Sequence, residues 1–249
     1  MKDGKKIVAV LPAYNAELTL ERTMADIPKD WFDEIILVDD CSRDGTVALA
    51  NKLGGIHVVV HPKNRGYGGN QKTCYSTALA RGADIAVMIH PDFQYDPTLA
   101  PELIKPILEG KADCVLGSRM MTDTALKGKM PLWKYIGNKF LTGLENFAFG
   151  VKLSEYHTGY RSYNKDIMSK LQLELNSDGF VFDQEIIAQM LANKFRIFEV
   201  PIPTRYFKEA SSVSFWVSVK YGLLTLTVLV GFVLNRVGLS SPKLRLRRE

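Results

Sequence analysis

Apolar residues in the first half of the chain fall in short unbroken runs: IVAVL at 7–11, IILV at 35–38, IHVVV at 56–60, IAVMI at 85–89 and CVL at 114–116. Between them, 17–26, 45–53, 69–81 and 97–109 read as helices. Strands that are apolar throughout, alternating with helices, predict βαβ units around a mostly parallel sheet buried on both faces.

Beyond Gly117 the rhythm breaks. Residues 120–130 (MMTDTALKGKM) are polar and long for a connection inside a compact domain, which predicts a lid. A helix follows over 133–150, and a helix at 180–192 with a strand at 195–200 restores the α/β pattern before Pro201-Ile202-Pro203 ends it. The last apolar stretch, GLLTLTVLVGFVL at 222–234, lies in a segment uncharged from Tyr221 to Asn235. As a helix that segment reaches only about 22 Å at ~1.5 Å per residue, short of a hydrocarbon core of about 30 Å. One crossing from the cytosol would also carry the basic 243–248 tail outside, against the positive-inside tendency. The expectation is therefore a helix lying half-buried in the cytosolic leaflet with its tail on anionic lipid. The alternative is a helix packed on its own domain or on a sister chain. Two units follow, 1–209 and 210–249.

Charge sharpens this division. The net charge is +5, yet residues from Pro201 onward hold eight Lys or Arg against two Glu, so the rest of the chain is nearly neutral. Basicity confined to the tail points to an anionic surface there and away from a nucleic-acid groove through the body. Cys41, Cys74 and Cys114 have no metal-site or paired spacing, which fits reducing cytosol. No signal peptide precedes the first strand.

Candidate chemistry gathers after the strands. Pro12-Ala13-Tyr14-Asn15-Ala16-Glu17 follows the first, and Asp39-Asp40-Cys41-Ser42-Arg43-Asp44-Gly45 the second. Ligands of open α/β sheets bind beyond the strands' carboxyl ends, so both clusters face one crevice. A carboxylate there can accept from a base N–H or ribose hydroxyls, and Tyr14 can stack on a ring; Ser42 and Asp44 read equally well as helix caps or turn residues. Asn64-Arg65-Gly66-Tyr67-Gly68-Gly69-Asn70 follows the third strand. Its glycines would let the backbone approach a ligand, although it matches neither the P-loop nor the dinucleotide fingerprint. After the fourth strand, His90, Asp92 and Gln94 alternate and in extended geometry project to one side, as chelation of Mg²⁺ or Mn²⁺ would need. The competing reading is a polar turn, with Asp96-Pro97 starting the next helix.

VLPAYNAE, ILVDDCSRDGT, HPDFQYDP and GSR, in this order and spacing, resemble the family 2 glycosyltransferases of GT-A fold, particularly the dolichol- or polyprenyl-phosphate hexosyltransferase branch. The likeness covers roughly residues 5–209. It implies an inverting transfer of a hexose from a nucleotide-diphosphate sugar of UDP or GDP type to a lipid-linked acceptor, polyprenyl phosphate foremost, at the cytoplasmic face of the cell membrane. By the same resemblance Pro12, Tyr14, Asn15, Glu17, Asp39 and Asp40 hold the nucleotide, while Asp92 and Gln94 hold a divalent metal. The family's first metal-binding Asp is His90 here, an imidazole that ligates without adding negative charge. Arg119 matches an arginine beside the acceptor phosphate; the family's second arginine has no counterpart after Trp133, where Lys134, Asn138 and Lys139 are the nearest polar positions. Tyr156-His157-Thr158-Gly159-Tyr160-Arg161 resembles the segment behind the sugar site, and Arg205 with Lys208 and 209–215 the loop that closes over the pyrophosphate. Asp183 or Glu185 would contact sugar hydroxyls or, for a hydroxyl acceptor, take its proton. A glycan or lipid hydroxyl acceptor and a non-catalytic nucleotide-sugar-binding scaffold are the alternatives; oligomeric state is open.

Overall fold

The computed structural model describes residues 1–121, 124–127, 130–203, 215–239 and 241–247. Seven strands, β1 (Ile7–Ala13), β2 (Glu34–Asp39), β3 (His57–Val60), β4 (Ile85–Met88), β5 (Cys114–Ser118), β6 (Arg161–Asn164) and β7 (Ile197–Pro201), form one sheet. Their order is β3-β2-β1-β4-β6-β5-β7. β6 runs antiparallel to β4 and β5, and every other pairing is parallel. The helices are α1 (Glu17–Asp26), α2 (Thr46–Leu53), α3 (Gly66–Ala80), α4 (Ala100–Leu108), α5 (Thr124–Lys127), α6 (Leu132–Phe149), α7 (Lys165–Lys170), α8 (Phe182–Ala192) and α9 (Phe215–Arg236).

The unbroken apolar runs have the expected cause. Along β1, Val8 and Val10 join the core cluster shared with α3, α7 and α8, whereas Ile7, Ala9 and Leu11 join the one shared with α1 and α4. Side chains alternate between the two faces, and both faces are covered, so neither can be polar. β6 was not among the expected strands. Its sequence, RSYN, is not an apolar run, yet Arg161 and Ser162 are both 0% exposed. Within the expected lid, Met120, Ala125 and Met130 are buried together against Tyr135 of α6.

The glycine-rich segment has a different purpose from the one expected. α3 begins at Gly66, whose φ is +82°, and the Asp178 carbonyl accepts the N–H groups of Gly68 (2.7 Å) and Gly69 (3.2 Å). A Cβ on Gly68 would stand 2.4 Å from the Ser177 carbonyl oxygen and 2.7 Å from Phe182 Cβ. The close approach is therefore made by the chain's own 177–179 backbone, which occupies the amides a ligand would use. Gly68→Ala should cost about 1–3 kcal/mol by overpacking against unyielding backbone, read as a lower urea midpoint; an unchanged midpoint would contradict this packing.

α9 is longer than the uncharged stretch that predicted it. Its 22 residues reach about 33 Å at ~1.5 Å per residue, so length no longer argues against a crossing. Packing does. Thr225, Leu229 and Phe232 are buried along one stripe of α9, which lies on α6 and α8, and Phe232 meets Phe149 of α6 edge to face at 4.8 Å. The basic tail, expected on anionic lipid, also meets the domain. Lys243 pairs with Glu185 (2.6 Å), Arg247 pairs with Glu174 (2.6 Å), Leu244 is buried, and Leu246 bridges to Leu171. These two charges are spent on the domain because Leu244 anchors the tail beside α8.

Candidate active site at the carboxyl edge of the sheet

Because β1, β2 and β4 are parallel and adjacent, their carboxyl ends open onto one edge. The first two loops are stitched to each other there. Asn15, at φ +50°, donates its N–H to Ser42 Oγ (2.8 Å) and accepts the Arg43 N–H at Oδ1 (2.9 Å). Glu17 Oε2 accepts the Gly45 N–H (2.8 Å), and Asp44 Oδ2 accepts that of Glu17 (3.1 Å). Asn15 and Glu17, both expected to hold the nucleotide, thus also hold the two loops in shape. Asp40 is similarly committed: Oδ1 meets His61 Nδ1 and the Arg65 N–H, both at 2.8 Å, and Oδ2 accepts the Gly66 N–H at 2.9 Å. Its carboxylate caps the start of α3 where negative charge suits the helix dipole. Asp39 differs. Oδ2 accepts the Ser42 N–H (2.9 Å), but Oδ1 is buried with no partner among the described residues. A buried unmet acceptor costs about 1–3 kcal/mol, so a donor N–H or O–H from a ligand would complete it. Pro12 lies within β1 at this edge and Tyr14 is half exposed beside it.

The 90–94 segment is a turn, which corrects the extended geometry expected. Phe93 has φ +57°, and Asp92 Oδ1 accepts the Gln94 N–H at 3.0 Å. His90 lies flat against Tyr67 (5.6 Å between centroids, 1° between planes), and its Nε2 is buried without a partner among the described residues. A Cβ on Gly159 would meet that nitrogen at 2.8 Å, so the glycine leaves the space in front of it open. Burial raises the Asp92 pKa, with His90's charge opposing, and burial lowers that of His90, with Asp92 and Asp183 opposing. An orphaned imidazole nitrogen beside a carboxylate that burial disfavours in its charged form fits a divalent cation. Among the described residues no three His, Cys, Asp or Glu gather as a closed metal site, so such a cation would take further ligands from elsewhere.

Asp183 enters from α8 but is fully engaged. Tyr67 donates to Oδ2 (2.9 Å), Gln71 to Oδ1 (3.2 Å), and Arg161 lies 3.5 Å away. Glu185 belongs elsewhere: Oε2 accepts the Ser177 N–H (2.5 Å) and Oε1 pairs with Lys243. Both carboxylates accept hydrogen bonds within the protein. Tyr67 and Gln71 were missed from the sequence, although their i, i+4 spacing puts them on one face of α3. Arg205 and Lys208, and all but the last residue of the 209–215 stretch, lie outside the described residues.

Arg119, at the end of β5, is buried on Glu155, which is 0% exposed. Its N–H bonds Oε2 (2.7 Å), Nε bonds Oε1 (2.8 Å), and Nη2 pairs with the same carboxylate and donates to the His157 carbonyl (2.5 Å). Asn138 of α6 donates to Oε1 at 2.7 Å. Burial pushes the Glu155 carboxyl up, but Arg119 and these hydrogen bonds hold it below the ordinary range. A carboxyl depressed in the folded state adds stability that is full above the unfolded value, about 4.3, and is lost as pH falls through the folded value. Melting temperature should therefore fall on acidification below about pH 5, and less steeply in Glu155→Gln; equal slopes would remove Glu155 from the acid response. Lys134, in the first turn of α6, has its pKa lowered by burial and then by the charge of Arg119.

These polar loops follow strands of an open α/β sheet at its carboxyl edge, the place where such folds bind ligands. The chain belongs to glycosyl transferase family 2, whose model matches residues 8–172. It is a glycosyltransferase. It is 29% identical over 218 residues to the UDP-N-acetylglucosamine–dolichyl-phosphate N-acetylglucosaminyltransferase of Methanococcus voltae, covering 81% of this chain and 86% of that one. It is 26% identical over 212 residues to the polyprenol monophosphomannose synthase of Mycolicibacterium smegmatis, covering 81% and 78%. Glucosyl-3-phosphoglycerate synthase of Mycobacterium tuberculosis, solved with Mn²⁺, UDP-glucose and phosphoglyceric acid, shares the fold at TM-score 0.68 and 19% identity, covering 96% of this chain and 82% of that one.

Proposed function

We propose that the protein transfers a hexose, with inversion, from a UDP- or GDP-sugar to polyprenyl phosphate at the cytosolic surface of a membrane. One juxtaposition carries this reading: Asn138 of α6 meets Arg119 through Glu155, and Lys134 of α6 sits among Leu132, Trp133, Ile136 and Phe140, exposed apolar residues of the same helix, which packs on α9. Cations that suit a phosphate adjoin a surface that suits hydrocarbon, as a lipid phosphate requires. α9, seated on the domain, would lie in the leaflet rather than cross it, and Lys220 and Arg236 near its ends would meet anionic headgroups. The relatives in Methanococcus and Mycolicibacterium, named for lipid-phosphate acceptors, support the same choice.

In this mechanism Asp39 receives a donor N–H or O–H, and Tyr14 stacks on the base. His90, Asp92 and Gln94 would hold Mg²⁺ or Mn²⁺, which when bound offsets charge on the departing diphosphate. Lys134 and Arg119 align the acceptor phosphate for attack at the anomeric carbon. A phosphate acceptor is already ionised at neutral pH, so the full engagement of Asp183 and Glu185 is no obstacle; a hydroxyl acceptor would need one of them free. The test is transfer from UDP- and GDP-sugars, with and without Mn²⁺, to polyprenyl phosphate in lipid vesicles, read as glycolipid by mass spectrometry. Transfer to glycolipid hydroxyls alone, or to nothing, would refute the reading.

A further inference from the structure

α9 docks through a largely apolar stripe, to which Tyr221 adds polar contacts with α8 and the 155–157 segment. The Tyr221 hydroxyl accepts from Gln184 Nε2 of α8 (2.7 Å) and lies 2.9 Å from His157 Nδ1, with the two rings edge to face at 5.5 Å. His157 continues in two directions. Its Nε2 is 3.1 Å from Oε2 of Glu145 on α6, and its carbonyl accepts from Arg119 Nη2 at 2.5 Å. Glu145 is 0% exposed, and neither of its oxygens has a hydrogen bond of good geometry among the described residues. Burying a carboxylate so poorly met costs stability, and an apolar residue of the same shape would pack there at no such cost. What the cluster adds is register. An apolar stripe slides and turns easily on its neighbours, whereas a buried hydroxyl with two directional partners is satisfied in one seating.

We propose that Tyr221 and His157 are positioning residues: the seating of the lipid-facing helix α9 sets Arg119 for the acceptor phosphate. This rests on the function proposed above for Arg119. When α9 is drawn onto the domain, Tyr221 orients the His157 ring, and the 155–157 segment then presents Glu155 and the His157 carbonyl to the guanidinium.

Tyr221→Phe removes one oxygen and leaves the ring packing, and Gln184→Met removes the hydroxyl's other partner should the first variant fold poorly. Two readouts are taken on the full chain with vesicles of polyprenyl phosphate in anionic phospholipid. Amide hydrogen exchange over 155–159 and 117–121 should accelerate several-fold. The acceptor KM should rise roughly tenfold, within the range of residues that couple two sites, with kcat and donor KM changed less than about twofold. Thr225→Val, one turn along the same helix where the hydroxyl bonds only the Tyr221 carbonyl among the described residues (3.0 Å), should do neither. Unchanged exchange in Tyr221→Phe, or equal effects in Thr225→Val, overturns the proposal. If the unaltered protein glycosylates no lipid phosphate, the functional reading falls, while the exchange measurement still decides whether α9 is coupled to Arg119.

Discussion

Replacing Asp92 by alanine should lower the transfer rate roughly 10²–10³-fold, as removal of one preorganised electrostatic group at a reacting centre does, while leaving the fold intact. The asymmetry follows from what the side chain touches. Its Oδ1 bond to the Gln94 N–H is a local turn contact, worth about 1 kcal/mol. Its charge, raised in cost by burial and relieved in part by His90, has no basic residue of this chain within hydrogen-bonding reach among the described residues. A cation on the donor diphosphate is what would compensate it. Steady-state transfer at saturating Mn²⁺, set beside the thermal melt of the same preparation, separates the two effects. Transfer at the normal rate in Asp92→Ala would remove both the metal and its role.

Arg161→Leu should be the most damaging single change to stability, about 3–5 kcal/mol, the usual result of removing one partner from a buried ion pair. The guanidinium is 0% exposed. Nε donates to the Thr158 carbonyl (2.5 Å), Nη2 to that of Tyr156 (2.9 Å) and Nη1 to that of Asp183 (3.1 Å), besides the ion pair with the Asp183 carboxylate. Leucine removes a donor from three carbonyls and the buried counter-charge from the Asp183 carboxylate, which keeps only its bonds from Tyr67 and Gln71 among the described residues. Against a typical total of about 5–15 kcal/mol, the loss should be plain in urea unfolding. Arg161→Lys should recover little, because a single ammonium cannot reach acceptors in three planar directions. A loss below about 1 kcal/mol would show that water reaches this cluster.

The same residues explain how far the sequence could be read. β1, β2, β4 and β5 were legible because both their faces are buried, which forces an unbroken apolar run. β6 was not, since Arg161 and Ser162 are buried as polar groups and mimic a surface segment. The Gly66–Gly69 loop was legible as a close approach but not as an approach of the chain to itself. That distinction depends on Ser177 and Asp178, more than a hundred residues away. His90, Asp92 and Gln94 were found as a cluster, but the left-handed Phe93 that turns them could not be inferred from alternation.

The amino-acid sequence alone determined the doubly covered parallel sheet, the edge where its loops meet and the family, because apolar runs and loop motifs are local and survive without knowledge of neighbours. Only the tertiary structure decided how polar atoms are met: among the described residues Asp39 Oδ1 and His90 Nε2 have no hydrogen-bond partner, while Asn15, Glu17, Asp40, Asp183 and Glu185 have partners within the protein. A carboxylate has the same letter whether or not its oxygens are occupied. Occupancy is set by contacts between residues far apart in the chain, and so is the seating of α9, whose apolar composition suits a membrane and a protein surface equally well.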